Sequence, residues 1–194
     1  SLENLSIERL LRDARFDPGR STGSLNGEVR LASASASARD LEGKGRFFLT
    51  EAALEPLPFI RQFGEMLGIE ELKFLELQQA ELVASMSGGE VTVEEMVLRT
   101  QNLAILTTGR IGSEGALDLQ NRLLLREEIL RRFGGLLDRQ FGPSEPGFRE
   151  VQFQVSGTLS RPRTDLLEKV TGIRLDREIN RFINNLFGRP KKDR

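Results

Sequence analysis

Histidine, cysteine, tryptophan and tyrosine do not occur anywhere in the 194 residues. Without histidine there is no Ser-His-Asp or Cys-His relay, and with cysteine also missing the usual zinc ligand sets are gone. Missing cysteine leaves the compartment open, because a reducing cytosol and an oxidising periplasm both tolerate it. An excess of one charge is missing too. The chain carries 28 basic and 29 acidic residues, a net charge of -1, so it lacks the basic footprint of a nucleic-acid binder, and no nucleic-acid partner is expected. No run approaches the ~20 apolar residues of a membrane-spanning helix. The chain opens on Ser1 with no positively charged start before an apolar stretch. That opening reads as a domain boundary, with any targeting segment upstream. The length suits one ordinary domain or two small ones. Such a chain buries roughly 70% of its unfolded surface and needs neither disulfide nor metal to hold a core.

What is present is alternation. Leu2 to Arg15 predicts a short strand leading into a helix, and Phe16 to Gly27 a turn-rich connector broken by Pro18, Gly19, Gly23 and Gly27. From Gly27 to Leu54 the period is two. Val29 and Leu31 point one way, and Phe47, Leu49, Glu51 and Ala53 share a face. The Ala/Ser run at 32–38 fits a weak strand, a bend or a short helix. Between Leu72 and Leu125 the strand pattern returns. Leu75, Leu77, Gln79, Glu81 and Val83 share one parity. Val91 and Val93 share a parity that slips before Met96 and Leu98, which predicts a bulge near Glu94 and Glu95. Leu103 and Ile105 follow, then Leu117, Leu119, Asn121, Leu123 and Leu125. Phe148 to Leu159 is a last strand with an early parity change. The breaks at Gly88-Gly89, Asn102 and Gly112 to Gly115 are short, so hairpins and an antiparallel sheet are expected. Gly27-Glu-Val-Arg-Leu with Gly45-Arg-Phe, and Gly89-Glu-Val-Thr-Val with Gly109-Arg-Ile, suggest repeated hairpins.

Helical spacing marks four other stretches. They are Pro56 to Gly68, Glu127 to Phe141 (followed by a loop at 142–147), Arg163 to Gly172, and Leu175 to Phe187. In the last, Leu175, Ile179, Phe182, Ile183, Leu186 and Phe187 form a stripe, with Arg174, Arg177 and Arg181 largely off it. Such a helix suits docking on the domain's own sheet or lying on a membrane surface. The carboxylate pairs Glu70-Glu71, Glu94-Glu95 and Glu127-Glu128 read as surface charge, and Asp118 as a solvent-exposed acid. Gly43-Lys-Gly-Arg resembles a phosphate loop only superficially, since the G-x-x-x-x-G-K-[ST] spacing and the following helix are missing. No catalytic residue, metal site or cofactor is expected.

The order of parts resembles the C-terminal region of the bacterial AsmA-like family. Gly43-Lys-Gly-Arg-Phe-Phe-Leu-Thr leads to Leu54-Glu-Pro-Leu-Pro-Phe. Gly89-Glu-Val-Thr-Val runs to Met96-Val-Leu-Arg-Thr. Gly109-Arg-Ile is followed by Gly115-Ala-Leu-Asp-Leu, and Val155-Ser-Gly-Thr-Leu-Ser-Arg-Pro closes the pattern. The resemblance covers roughly residues 24–165. It divides the chain into an N-terminal strand, helix and connector (1–23), a β-rich domain (24–165) and a helical tail with a basic end (166–194). It implies a non-catalytic, periplasmic segment of a protein anchored to the inner membrane, related to β-groove carriers of phospholipid and linked to outer-membrane homeostasis. Membrane contact would come through a segment outside these residues.

The expected fold is α+β: a large, twisted, mainly antiparallel sheet, able to curl into a groove, with amphipathic helices packed on it. A lipid-carrying sheet needs a continuous apolar face, at roughly 0.8 kcal/mol per methylene shielded. The candidate lining is Val91, Val93, Leu103, Ile105, Leu117, Leu119, Leu123, Leu125, Phe153 and Val155. The same pattern suits a sheet whose helices simply cover it. Expected partners are a phospholipid or, in a scaffold for outer-membrane assembly, other envelope proteins recruited by a strand edge.

Overall fold

Alternation becomes structure because successive side chains on a strand point to opposite faces. The computed structural model describes residues 1–13, 17–33, 41–56, 60–61, 64–65, 68–132 and 139–171. The elements are β1 (Leu2–Ser6), α1 (Ile7–Asp13), β2 (Thr22–Ser33), β3 (Leu41–Leu54), β4 (Leu75–Glu76), β5 (Gln79–Ser87), β6 (Glu90–Arg99), β7 (Leu103–Ile111), β8 (Ala116–Arg126), α2 (Glu127–Arg131), β9 (Gly142–Pro143), β10 (Phe148–Thr158), β11 (Arg161–Thr164) and α3 (Leu166–Thr171). The strands form one 11-stranded sheet in the order β1-β2-β3-β5-β6-β7-β8-β10-β11, with β4 beside β3 and β9 beside β10. Every pairing is antiparallel. The sheet is open, and the described helices are few and short. It runs from Leu2 to Thr164, so β1 is continuous with the rest.

The expected hairpins form. Gly88 and Gly89 take φ of 60 and 78 between the paired residues Ser87 and Glu90. Two left-handed residues make a two-residue turn that matches strand twist, which is why glycine sits at both. Both members of the internal similarity are hairpin pairs, with Val29 opposite Gly45 and Val93 opposite Gly109. The slip in β6 is a bulge. Val93 lies opposite Gly109 and Met96 opposite Thr107, leaving Glu94 and Glu95 against a single partner residue. The initial strand leading into a helix also forms.

Several details differ from the sequence reading. Glu51 takes a left-handed φ of 50, and the β2–β3 register shifts between Thr22 and Ser24. Parity resets there, so Ala52 is buried and Glu51 is exposed. Leu75 and Leu77 do not continue onto the side of Glu81 and Val83. β4 is a separate two-residue strand, and after Gln78 the buried positions of β5 are Ala80 and Ala84. The region expected as loop after 141 holds β9, and Arg163 and Thr164 belong to β11 instead of a helix. Phe141 lies outside any helix, and α2 is described only to Arg131. Residues 60, 61, 64 and 65 are helical, while most of the 56–68 reading, part of the 32–38 run and all of the 175–187 reading lie outside the described residues.

The core lies at one end of one face. Leu103, Ile105, Leu123, Leu125, Val151, Phe153 and Val155 from β7, β8 and β10 meet Ile60, Ile69, Leu72, Leu75, Ile129, Leu130, Phe141, Leu166 and Val170. α3 packs on β10.

Gly109 is the tightest point in this sheet. Its φ is 134, and a Cβ there would lie 2.2 Å from the Asp118 carbonyl oxygen and 2.9 Å from the Leu119 Cα. Gly109→Ala therefore has to move the β8 backbone as well as adopt a strained φ, and a loss above about 1 kcal/mol is expected. Gly142 has open space around it and no left-handed φ. Gly142→Ala should stay within about 0.5 kcal/mol. Urea unfolding of both variants checks the contrast, and equal losses would contradict it.

Candidate apolar binding face

The register brings the aliphatic positions of neighbouring strands into rows across the sheet. One row runs Met86, Val91, Ile111, Leu117, and another runs Ala80, Leu98, Ile105, Leu123, Val151. On β2 and β3 the same face carries Leu25 opposite Leu49, Gly27 opposite Phe47 and Leu31 opposite Gly43. Phe47 lies over bare backbone: a Cβ on Gly27 would come 2.9 Å from its ring, and one on Gly45 2.7 Å. Glycine at these positions lets the ring pack down on the strand.

All ten predicted lining residues lie on this face, but they divide. Val93, Leu103, Ile105, Leu123, Leu125, Phe153 and Val155 are buried, six of them within the core cluster. These six are sealed by the protein's own side chains, from α2, α3 and the segment around Ile69 and Leu72. Val91, Leu117 and Leu119 are half-buried; Leu117 and Leu119 pack against the margin of the core cluster, and Val91 lies on the open part. The open part continues over Ile111, Met86, Leu82, Phe47, Leu49, Leu41, Val29 and Leu25, all half-buried, and reaches Leu31 at 61% exposure. Sequence reasoning did not include these in the lining. The parity of Val29 with Leu31 and of Phe47 with Leu49 was visible, but the glycines between them hid how far the face extends.

One polar pair interrupts this surface. Thr107 lies directly opposite Asn121, and both are buried. The Thr107 hydroxyl donates to Asn121 Oδ1 at 2.7 Å, and Asn121 Nδ2 donates to the Leu119 carbonyl at 3.2 Å. No buried side-chain polar atom among the described residues lacks a partner.

The opposite face is charged and cross-linked by ion pairs. Lys44 reaches Glu94 at 2.7 Å, Arg46 pairs with Glu81, Arg110 with Glu90, and Arg122 with Glu150. The bulge leaves both Glu94 and Glu95 exposed, whereas regular alternation would have turned one of them inward. The other carboxylate pairs are also ordinary surface groups. Glu70 meets Lys73, Glu71 accepts from Asn102, and Glu127 meets Arg131. Asp118 is exposed, and Gly43 to Arg46 lie within β3. An acidic depression of about 790 Å³, lined in part by Glu51, Glu70, Glu71 and Glu76, opens elsewhere. Among the described residues no cluster of acidic side chains is arranged to hold a metal ion, and no helix is long and apolar enough to cross a membrane. Comparison with family models, with curated proteins and with solved structures finds no match.

The Arg122 guanidinium holds the Glu150 carboxyl below its ordinary pKa, helped by hydrogen bonds from Ser144 and Gln152. A carboxyl depressed in the folded state binds its proton more readily when unfolded. Its stabilisation is complete above the unfolded value, about 4.3, and fades as pH falls through the folded value. Glu150→Gln should cost about 0.5–1 kcal/mol at pH 7. That difference should shrink steadily in acid below pH of about 4. Denaturant titrations of both proteins across pH check this, and a difference that grows in acid would contradict it.

Proposed function

We propose that this chain is a non-catalytic module of the bacterial cell envelope that holds or passes phospholipid acyl chains along the open part of its apolar sheet face. The reading combines the ordered AsmA-like resemblance with one observation. A single antiparallel sheet keeps an aliphatic face over β2 to β8, while the chain's own described helices close only the end formed by Leu103, Ile105, Leu123, Leu125 and Phe153. Acyl chains on the open rows would be shielded at about 0.8 kcal/mol per methylene, with headgroups left near water. A periplasmic setting, with an anchor in the inner membrane, belongs to the same proposal.

A second reading rests on the sheet edge. β1 pairs only with residues 24 to 27 of β2, so the outer side of Glu28 to Ala32 carries no strand among the described residues. An exposed edge recruits strands. A scaffold that binds an envelope protein there, without lipid, would use this edge.

Two measurements separate the readings. Solvent extraction and mass spectrometry of the purified chain should find phospholipid, and the chain should speed lipid transfer between vesicles. Val91→Glu with Ile111→Glu should lower bound lipid about tenfold, equivalent to about 1.4 kcal/mol, with the circular dichroism spectrum unchanged. The exposed outer-face variant Thr108→Glu should leave it unaltered. A lipid-free protein with no transfer activity, or equal lipid in all three proteins, overturns the lipid reading. Crosslinking of the β2 edge to a protein partner without lipid would favour the scaffold.

A further inference from the structure

The open rows have a fitting cover within the chain. We propose that the C-terminal segment, residues 172–194, docks on the half-buried positions Val91, Ile111, Leu117 and Leu119, with its aliphatic stripe facing the sheet. The inference does not rest on the lipid reading: the segment would lie on the rows proposed to hold acyl chains, so lipid would have to displace it there.

Four observations lead there. α3 packs on β10, and its Leu166 and Val170 share one apolar cluster with Val151, Phe153 and Val155. The chain therefore approaches residue 172 from the apolar side of the sheet. The segment's spacing of Leu175, Ile179, Phe182, Ile183, Leu186 and Phe187 is that of one helix face. Its reach matches the open rows. A helix over 175–187 would be about 20 Å long at ~1.5 Å per residue. Four strand spacings, from β10 to β5, are about 19 Å.

The charges are complementary as well. Residues 172–194 hold 7 basic and 3 acidic side chains, a net of +4, and residues 1–171 hold 21 basic and 26 acidic, a net of -5. The near-neutral whole conceals two opposed parts, so docking is drawn by long-range attraction as well as by burial. A membrane surface or a second copy could also take an apolar, basic segment, and the test reads each of these separately.

The absence of cysteine gives a clean background for crosslinking. In the full chain, Ile179→Cys is combined in turn with Val91→Cys, Ile111→Cys or Leu119→Cys, and with the outer-face control Thr108→Cys. A short bis-maleimide should link Ile179→Cys to inner-face positions within one molecule at least about ten times faster than to the control. A second variant, Phe182→Asp with Phe187→Asp, leaves the described core untouched. It should abolish the link and raise binding of an apolar dye severalfold. Links formed only between molecules would overturn the proposal in favour of a second copy. Equal linkage to both faces, or no linkage with flotation of the chain on anionic phosphatidylglycerol vesicles, would overturn it outright.

Discussion

A sheet whose two faces differ this much in polarity has to hide one of them, and the rest of the architecture follows from how that is done. Burying a Leu, Ile, Val, Phe or Met side chain fully stabilises by about 1.5–3 kcal/mol relative to exposure. At the β7–β8–β10 end that gain is taken by short elements. α2 contributes Ile129 and Leu130, α3 contributes Leu166 and Val170, and the turn around Leu72 brings Ile69 and Leu75. Across β2, β3, β5 and the near part of β6 the same face stays apolar but only half covered. Polar residues at Leu82, Met86 or Val91 would sacrifice little of the core formed by the described residues, yet the positions are aliphatic. That contrast is what the two proposals, a lipid or a chain segment as occupant, set out to explain.

The opposite face helps the sheet hold one register where no second layer covers it. Slipping any strand by one residue would turn its aliphatics into water and its charges inward. The ion pairs Lys44–Glu94 and Arg122–Glu150 each link strands across that polar face in the observed register. Individually such exposed pairs contribute little, but misalignment would lose them together with apolar burial. Thr107 and Asn121 do the same from the inner side, since a one-residue shift of either strand would turn one of them outward and leave the other buried without this bond. At Phe148 the outer face carries an aromatic surface of its own, with the Arg126 and Arg99 guanidinium groups 5.0 and 5.8 Å from the ring centroid. Long arginine stems can cover an aromatic surface while their charges stay wet.

Much of this was legible in the residues, and the limits were physical. The clean period of two in Leu117 to Leu125 carried the strand and its face. The parity slip at Glu94 and Glu95 carried the bulge. Parity failed where a residue left ordinary β geometry, as at Glu51, whose left-handed backbone turns Ala52 inward. Short strands were missed because two to four residues hold no period: Gly142–Pro143 and Arg161–Thr164 are strands through what they lie beside. For the candidate lining, sequence correctly grouped ten aliphatics on one face. Which of them the chain covers depends on contacts far apart in sequence, such as Phe141 and Ile69 reaching one core. No local pattern contains that information.

The distribution of polar groups limits what the open face can recognise. The buried polar residues among those described are Ser21, Thr100, Thr107 and Asn121. Only the last two lie opposite each other in the middle of the apolar face, and they are partnered by each other and by the Leu119 carbonyl. No buried hydroxyl, amide or charge is therefore held in reserve there to bind a polar atom of a guest. Selectivity that depends on leaving a binding group unpaired when the wrong ligand enters is not built into such a surface. Discrimination has to come from length, girth and apolarity, which suits an acyl chain or an aliphatic helix face and suits a polar metabolite poorly. Any polar end of the guest would have to lie beyond the aliphatic rows, among the charged side chains and water at the rim. On the proposed reading such a face would hold its occupant by area, so weakening it takes more than one substitution at half-buried positions, and no single residue within it should act as an anchor.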